Sequence, residues 1–252
     1  MTTVCNGMAL CKLRPYGSGF FVFSDYAKPA LRLAALMELP VIQVFTHDSI
    51  GVGEDGPTHQ PIEQLAALRA IPHMVVIRPA DANEVAEAWR VALEAQKHPV
   101  ALILSRQAIP TLDRSRYAPA AGLRRGAYVL ADSDGAPEVI LIGSGSEVQF
   151  CCEAAEKLKA EGVKVRVVSM PSFELFEMQP REYRDQVLPP AVRKRVAIEA
   201  GAPLGWHRYV GLDGTVIARD GFGASAPFKE LLQQFGFTAD NVYRSAKALL
   251  AG

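Results

Sequence analysis

Two histidines and three acids fall within fifteen residues of this chain, in the segment HDSIGVGEDGPTHQP (His47–Pro61). Imidazole and carboxylate groups can exchange protons with a polar substrate or hold it by hydrogen bonds. The segment follows a strand-like apolar run, Pro40–Phe45, and precedes a helix-like apolar run, Ile62–Ile71. Open α/β sheets place their ligands in such loops, at the carboxyl ends of the strands. We therefore predict that this loop forms a site.

Three aromatic residues upstream of the loop recur at every third position: Phe20, Phe23 and Tyr26. Such a set predicts one wall around a flat heteroaromatic ligand, because aromatic rings stack favourably on flat rings. The alternative interpretation is that these residues, with Phe21, belong to the hydrophobic core. Arg106 ends an apolar strand-like run, where we expect its guanidinium to meet a phosphate or a carboxylate.

Several familiar motifs are absent or incomplete. Gly143–Ser146 precedes a helix but lacks the third glycine of a dinucleotide fingerprint, so it predicts a tight turn. Gly51–Gly56 carries two acids and no lysine, which argues against a phosphate cradle. His47 and His59 are twelve residues apart and share no helix face, so we expect no metal site. No GxSxG elbow or Cys/His pair indicates a covalent nucleophile.

Composition narrows the class of protein. Lysine plus arginine and aspartate plus glutamate number 27 each, so no basic surplus favours nucleic acid or an anionic membrane. Hydrophobic residues make up 49% and charged residues 21%, values typical of a globular protein. No apolar run is long enough to span a bilayer, and the N-terminus lacks a signal-peptide pattern. The four cysteines form no CxxC pair, so we expect reduced thiols in a cytoplasmic protein.

The elements that must position the loop alternate between strand and helix. Residues 12–19 predict a loop, and the helix after His47–Pro61 is expected from about Pro61. The next helix begins at an Asp81–Glu84 capping box. Strand, helix, strand, helix and strand in this order predict right-handed crossovers and a parallel sheet. The three strands are predicted at Val41–Phe45, Met74–Ile77 and Val100–Ser105.

A second α/β unit follows a lapse in the pattern. Residues 107–125 hold two prolines and no usable period, so they predict a linker between domains 1–106 and 126–252. The fold class is therefore α/β, with two successive open sheets flanked by helices, the first mainly parallel and the second smaller. The later strands are predicted within Glu138–Val148, Val163–Pro171, Lys194–Gly201 and Thr215–Ala218, before a closing helix at about Asn241–Leu250.

Long motifs of this sequence closely resemble transketolase, in order and over essentially all 252 residues. They are PYGSGFFVFSDY (Pro15–Tyr26), THDSIGVGEDGPTHQP (Thr46–Pro61), RPAD (Arg78–Asp81), ALILSRQ (Ala101–Gln107), VVSMPSFELFEMQ (Val167–Gln179), AIEAG (Ala197–Gly201) with Trp206, and GFGASAP (Gly221–Pro227). The resemblance identifies the first unit as a thiamine-pyrimidine-binding domain and the second as a transketolase-like C-terminal domain. It implies transfer of a two-carbon ketol unit from a ketose phosphate to an aldose phosphate in the pentose phosphate pathway.

The resemblance also assigns roles to individual residues. Phe23 resembles the aromatic residue that stacks on the aminopyrimidine of thiamine diphosphate, in a pocket completed by Phe20 and Tyr26. His47 and His59 resemble the histidines that hold the sugar near the thiazolium, and His59 receives the catalytic role. Asp55 resembles the carboxylate that reads the donor's hydroxyl stereochemistry. Arg106 resembles the arginine that binds the sugar phosphate.

Parts of the family pattern fall outside this sequence. The glutamate that activates the cofactor lies in an REFG-like segment just upstream of the residues that match Met1–Gly7, so that carboxylate is absent here. No GDG-plus-Asn motif occurs either, so the diphosphate and its magnesium or calcium ion are expected on a missing domain. We expect this first unit to be shortened at its N-terminus. Alone, the chain is expected to hold only the aminopyrimidine end of the cofactor and to be inactive.

The partners expected from the family are sugar phosphates, a diphosphate-binding companion domain or subunit, and a second copy of the chain in a dimer. An alternative function is a non-catalytic relict that binds a sugar phosphate or a protein partner. A third is a relative such as dihydroxyacetone synthase, or a decarboxylating thiamine enzyme. The acceptor cannot be read from these motifs.

Overall fold

Two β-sheets follow one another along the chain in the computed structural model, which describes residues 1–252. The first sheet has four parallel strands in the order β1-β2-β4-β3. They are β1 (Tyr16–Phe20), β2 (Ile42–Thr46), β3 (Val75–Ile77) and β4 (Val100–Ile103). Their helices are α1 (Thr2–Leu10), α2 (Ser24–Leu36), α3 (Gln64–Arg69) and α4 (Ala82–Glu94). The central strand β4 is buried at every residue, as both faces of a parallel sheet require.

The second sheet has five strands in the order β5-β7-β6-β8-β9, and β5 alone runs antiparallel to its neighbour. The strands are β5 (Tyr128–Ala131), β6 (Val139–Gly143), β7 (Val165–Ser169), β8 (Arg195–Ile198) and β9 (Thr215–Ile217). The helices are α5 (Val148–Ala160), α6 (Phe173–Glu177), α7 (Arg181–Val187), α8 (His207–Val210), α9 (Phe228–Gln234) and α10 (Ala239–Ala251). The predicted fold class, two successive α/β sheets flanked by helices, is confirmed, but the second sheet, with five strands, is not the smaller one.

Two local expectations need correction. Residues 16–20 form β1 rather than a loop, because Tyr16 to Phe20 pair in register with Ile42 to Thr46 despite two glycines of low strand propensity. The helix after the polar loop begins at Gln64 instead of Pro61. Gln64 accepts a hydrogen bond from the backbone of Ile62 at 2.9 Å, which holds the preceding turn.

The Asp81–Glu84 pairing is confirmed as the start of α4. The Asp81 carboxylate accepts a hydrogen bond from the Glu84 backbone N–H at 2.8 Å. The Glu84 carboxylate reaches back to the backbone N–H of Ala80, also at 2.8 Å. Residues 107–125 are irregular apart from a 3₁₀ helix at Ala120–Arg125, and Arg114 in this segment donates to Asp81.

All four cysteines are free thiols, and three of them are buried. None of the helices combines the length and the apolar character needed to cross a membrane.

Candidate functional site

The carboxyl ends of the four parallel strands bring the chemical groups of the first sheet to one edge. Phe20 is the last residue of β1, and His47 directly follows β2. Arg78 directly follows β3, and Arg106 lies three residues beyond the end of β4. Parallel strands end at the same edge of a sheet, so the chain folds these distant residues into one region.

Five rings form a continuous cluster at this edge. The His47 ring stacks on Phe20, with centroids 3.6 Å apart and an interplanar angle of 16°. Phe20 lies nearly parallel to Phe23, with ring centroids 6.4 Å apart. The centroid of Phe23 lies 6.1 Å from that of Tyr26 and 5.7 Å from that of His59, whose ring is nearly perpendicular to it. The predicted aromatic wall and the two histidines of the polar loop are therefore neighbours.

Exposure distinguishes the aromatic residues of this region. Phe23 is 44% exposed and Tyr26 is 84% exposed, so neither belongs to the core. Phe21 takes the core position instead, fully buried and 5.6 Å from the ring of Phe45. The alternative that all four aromatic side chains form core packing is therefore wrong for Phe23 and Tyr26.

The polar loop forms short 3₁₀ turns within Ile50–Asp55, with a kink at Gly53 where the backbone is not helical. The side chain of Ser49 accepts a hydrogen bond from Gly51 N at 3.3 Å and so caps the first of these turns. His47 has φ of 63°, and the left-handed values at Gly53 and Gly56 are ones that glycine adopts without steric cost. Ile50 is buried while Asp55 is exposed, so the loop is anchored from below and presents its acid to solvent.

A threonine hydroxyl fixes one ring nitrogen of each histidine. His47 Nδ1 lies 2.9 Å from Thr46 Oγ1, and His59 Nδ1 lies 2.9 Å from Thr58 Oγ1. The opposite nitrogen, Nε2, is then left to contact a ligand in either ring. Burial lowers the pKa of His47, and the nearby charge of Arg106 lowers it further, against the opposing effects of Asp55 and Asp48. A neutral imidazole can both donate and accept a hydrogen bond.

The charges around His47 make a titration test possible. Replacing Arg106 by glutamine is expected to raise the pKa of His47, because a repelling positive charge is removed. Replacing Asp55 by asparagine is expected to lower it, since an attracting negative charge is lost. The measurement is the pH dependence of the His47 ring-proton signals by NMR. Arg181→Gln, on exposed α7, is the matched control and should leave this pKa unchanged.

Two results would show that these side chains do not face His47. One is a lower His47 pKa in the Arg106 variant, and the other is an unchanged His47 pKa in both variants.

The buried guanidinium of this edge belongs to Arg78, which sequence reasoning passed over. The strand β4 is buried as expected, but Arg106 lies three residues beyond its end and is exposed. Arg78 is fully buried and forms ion pairs with Asp48 and Glu147. Burial alone would lower its pKa, but these two carboxylates outweigh burial and raise it. The signal was present in the sequence, because Arg78 directly follows the β-branched run of β3.

The assembled surface is open. Asp55 and Arg106 are exposed beside the exposed rings of Phe23 and Tyr26. Two cavities, of about 630 and 650 Å³, lie elsewhere, one beside α7 and α8 and one between α3 and α6. No group of three or more His, Cys, Asp or Glu side chains is arranged to hold a metal ion. The edge can therefore stack a flat ring and hold a polar molecule beside it.

Comparison with known proteins matches both halves of the chain to one family. A family model described as the transketolase pyrimidine-binding domain matches residues 1–111. A second, described as a transketolase-like C-terminal domain, matches residues 126–238. The transketolase of Geobacillus stearothermophilus is 59% identical over 252 residues, which are 99% of this chain and 38% of that protein. The chain thus spans well under half the length of this relative.

Solved structures agree with this assignment. A Pichia stipitis transketolase in complex with sedoheptulose 7-phosphate superposes with a TM-score of 0.93 at 38% identity, over 100% of this chain and 36% of that one. A structure described as a split-gene transketolase, inactive β4 tetramer, shares the fold with a TM-score of 0.79 at 24% identity, over 98% of this chain and 80% of that one. With both of its domains matched in order along the sequence, the chain belongs to the transketolase family.

Proposed function

We propose that this chain forms the pyrimidine-facing and sugar-facing part of a thiamine diphosphate-dependent transketolase. The reaction is transfer of a two-carbon ketol unit from a ketose phosphate to an aldose phosphate. The observation that carries this proposal is the continuous ring cluster from His47 through Phe20 to Phe23, at the sheet edge that also carries Asp55 and Arg106. An aromatic platform beside groups suited to a phosphorylated sugar supports this function.

The exposed rings fit the aminopyrimidine end of the cofactor. Phe23 offers an exposed ring on which a flat heterocycle can stack, and Phe20 and Tyr26 flank it. When bound, thiamine diphosphate supplies the nucleophile and electron sink for ketol transfer. We assign the diphosphate and its magnesium or calcium ion to residues outside this chain, since no cluster of acids and histidines here suits a metal.

The sugar contacts follow from exposure and charge. His47 and His59, each with Nδ1 held by a threonine, present Nε2 to the hydroxyl groups of the sugar. The His59 ring lies nearly perpendicular to that of Phe23, with centroids 5.7 Å apart, so we assign it the role of holding or moving a proton next to the reacting carbon. Asp55 reads the hydroxyl stereochemistry, and the exposed guanidinium of Arg106 binds the phosphate through paired hydrogen bonds.

Exposed apolar side chains indicate where partners bind. Large apolar side chains on α1 and at the C-terminal end of α2 are exposed, and exposed apolar surface of this kind is typical of interfaces. We assign this face to a diphosphate-binding companion domain or subunit and to a second copy of the chain in a dimer. The exposed residues are Val4, Met8, Leu33, Leu36 and Met37.

We further propose the remaining features of the sequence-based interpretation. Residues 1–106 and 126–252 are two domains joined by residues 107–125. The four free thiols suit a reducing compartment, which supports a cytoplasmic enzyme of the pentose phosphate pathway.

A chimera tests the proposed function. The corresponding segment of the Geobacillus stearothermophilus transketolase is replaced by this chain, which is 59% identical to it. We expect the chimera to transfer ketol units between ketose and aldose phosphates and the isolated chain to be inactive. A folded chimera that binds thiamine diphosphate but transfers nothing would overturn the proposal. Turnover by the isolated chain would overturn the need for a companion.

A further inference from the structure

The buried guanidinium of Arg78 joins the polar loop to the second sheet. Its Nε donates to Asp48 Oδ2 at 2.9 Å, and its Nη2 lies 2.7 Å from the same oxygen. Its Nη1 donates to the backbone carbonyl of Ser144 at 2.9 Å and to the Glu147 carboxylate. Asp48 directly follows His47 in the sequence, whereas Ser144 and Glu147 belong to the turn between β6 and α5. The Arg78 side chain therefore forms hydrogen bonds and ion pairs with residues of both units.

Burial makes this connection rigid. Asp48, Arg78 and Glu147 are each at most 2% exposed. A charge removed from water this completely is costly unless its partners stay in place, so none of the three can swing away alone. The space is equally tight, because a Cβ added at Gly145 would lie 2.6 Å from the guanidinium carbon of Arg78.

The contacts of Arg78 continue through Asp48 to the backbone of the loop. Ser49 Oγ donates to Asp48 Oδ1 at 3.0 Å. The same hydroxyl accepts from Gly51 N and so caps the first 3₁₀ turn within Ile50–Asp55. A continuous series of contacts thus runs from Glu147 in the second unit to the 3₁₀ turn that precedes the kink at Gly53. Asp48 is also the residue next to His47, whose φ of 63° is one that few non-glycine residues adopt.

The second unit also contacts the C-terminal end of the loop, through a segment far in sequence from Glu147. Gln60 Nε2 donates to Gly53 O within the loop and to Ala224 O in the GFGASAP segment, both at 2.8 Å. Ser225 Oγ donates to the backbone carbonyl of Glu54. Gly223 is so close that an added Cβ would lie 1.7 Å from Gln60 Oε1. Two distant parts of the C-terminal unit therefore contact one loop of the first unit.

We propose that the C-terminal unit sets the conformation of the His47–Gln60 loop, with Arg78 as the positioning residue at one end and Gln60 with Ser225 at the other. The conformational claim concerns the chain itself, and its meaning for sugar binding rests on the proposed function. In this proposal the C-terminal unit contributes through its contacts with the loop. It acts by holding His47 against Phe20 and by fixing the 3₁₀ turns within Ile50–Asp55.

The ring of His47 reports this conformation directly. Because it stacks 3.6 Å above Phe20, its ring protons are shifted upfield by the ring current of the phenylalanine. The chain has five histidines, so each ring signal can be assigned by single substitution. NMR spectra of the full 252-residue chain then follow the loop without any need for turnover.

Variants at both ends of the Arg78–Glu147 ion pair provide the test. Glu147→Gln weakens the grip on Arg78 without touching the loop, and we expect the His47 ring signals to lose at least half of their upfield shift. Arg78→Lys keeps the charge but cannot contact both acids at once, and it should give the same loss. Glu177→Gln is the matched control, since it breaks ion pairs with Arg184 and Arg208 within the second unit and should leave His47 unchanged.

Ser225→Ala guards against a misfolded Glu147 variant. Ser225 is exposed, so its replacement should leave the fold intact while shifting the amide signals of Gly51 to Asp55. Unchanged His47 ring signals in a folded Glu147→Gln chain would overturn the proposal. So would unchanged loop amides in Ser225→Ala.

The chimera separates this inference from the proposed function. If it is active, Arg78→Lys should lower kcat/KM roughly ten- to a hundredfold, because a loop misplaced by about 1 Å costs up to about that factor. If the chimera is inactive from the outset, the proposed function fails, while the NMR signals still decide whether the C-terminal unit holds the loop.

Discussion

Replacing Glu199 by glutamine is expected to lower the free energy of unfolding by about 3 kcal/mol or more at neutral pH. Glu199 is fully buried just after β8. Its carboxylate accepts from both Nη atoms of Arg69 at 2.7 and 2.8 Å, and from Trp206 Nε1 at 2.7 Å. The amide can accept only part of these hydrogen bonds and leaves the buried charge of Arg69 without its partner. Chemical denaturation of both chains measures the difference.

The effect should depend on pH in a defined direction. Burial alone would raise the pKa of Glu199, but the charge and hydrogen bonds of Arg69, with help from Arg78 and Ser144, lower it to about 2. A carboxylate with a lowered pKa in the folded state stabilises the fold above its unfolded pKa, and this contribution is lost as pH falls through the folded value. The stability difference between wild type and Glu199→Gln should therefore be constant above about pH 5 and shrink toward pH 2.

A surface pair provides the control for this prediction. Glu161 is exposed and pairs with Lys247 at 2.7 Å. Glu161→Gln is expected to change stability far less than Glu199→Gln, because water screens exposed ion pairs. Equal stabilities for the Glu161 and Glu199 variants would mean that Arg69 does not depend on Glu199.

In the active chimera, replacing His59 by alanine is expected to lower kcat/KM by roughly 10²-fold or more. His59 lies at 5.7 Å from the Phe23 ring that we propose as the cofactor platform, with Nδ1 already held by Thr58. Its removal takes away a group that can exchange a proton or bind a hydroxyl beside the reacting carbon. Steady-state kinetics with a ketose phosphate donor and an aldose phosphate acceptor measure the loss.

His207→Ala gives the matched comparison for this experiment. His207 is exposed at the start of α8 in the second unit, far along the chain from the ring cluster. Its replacement should leave kcat/KM within about twofold of the chimera. If the two alanine variants have the same kinetics, His59 has no part in the reaction.

The polar loop and the neighbouring helix α3 both contact the second unit. The loop that carries His47 and Asp55 is held by Glu147, Ala224 and Ser225 of the second unit. Nearby, Arg69 of α3 pairs with Glu199 and lies 3.8 Å over the ring of Phe173. The second unit thus supports the first through contacts with the loop and with α3.

Local patterns predicted much of the fold. The β-branched run at residues 75–77 and the apolar run at 100–103 are strands, as their composition indicated. Other elements were missed where local preference was weak. β1 contains Gly17 and Gly19 and is a strand because five of its residues pair with β2. The short helices α6 and α8 have only five and four residues, too few for a period to be visible.

The sequence by itself determined that a loop rich in histidines and acids follows a strand, and that aromatic residues recur at every third position before it. Those are local properties, set by the order and spacing of side chains along a few turns of chain. Only the tertiary structure decided that Phe20 stacks on His47 and that Arg78, rather than Arg106, is the buried guanidinium. Its partners Asp48 and Glu147 lie 30 and 69 residues away along the chain. Such pairings depend on how strands order themselves in a sheet and on how two sheets pack, which no local period records.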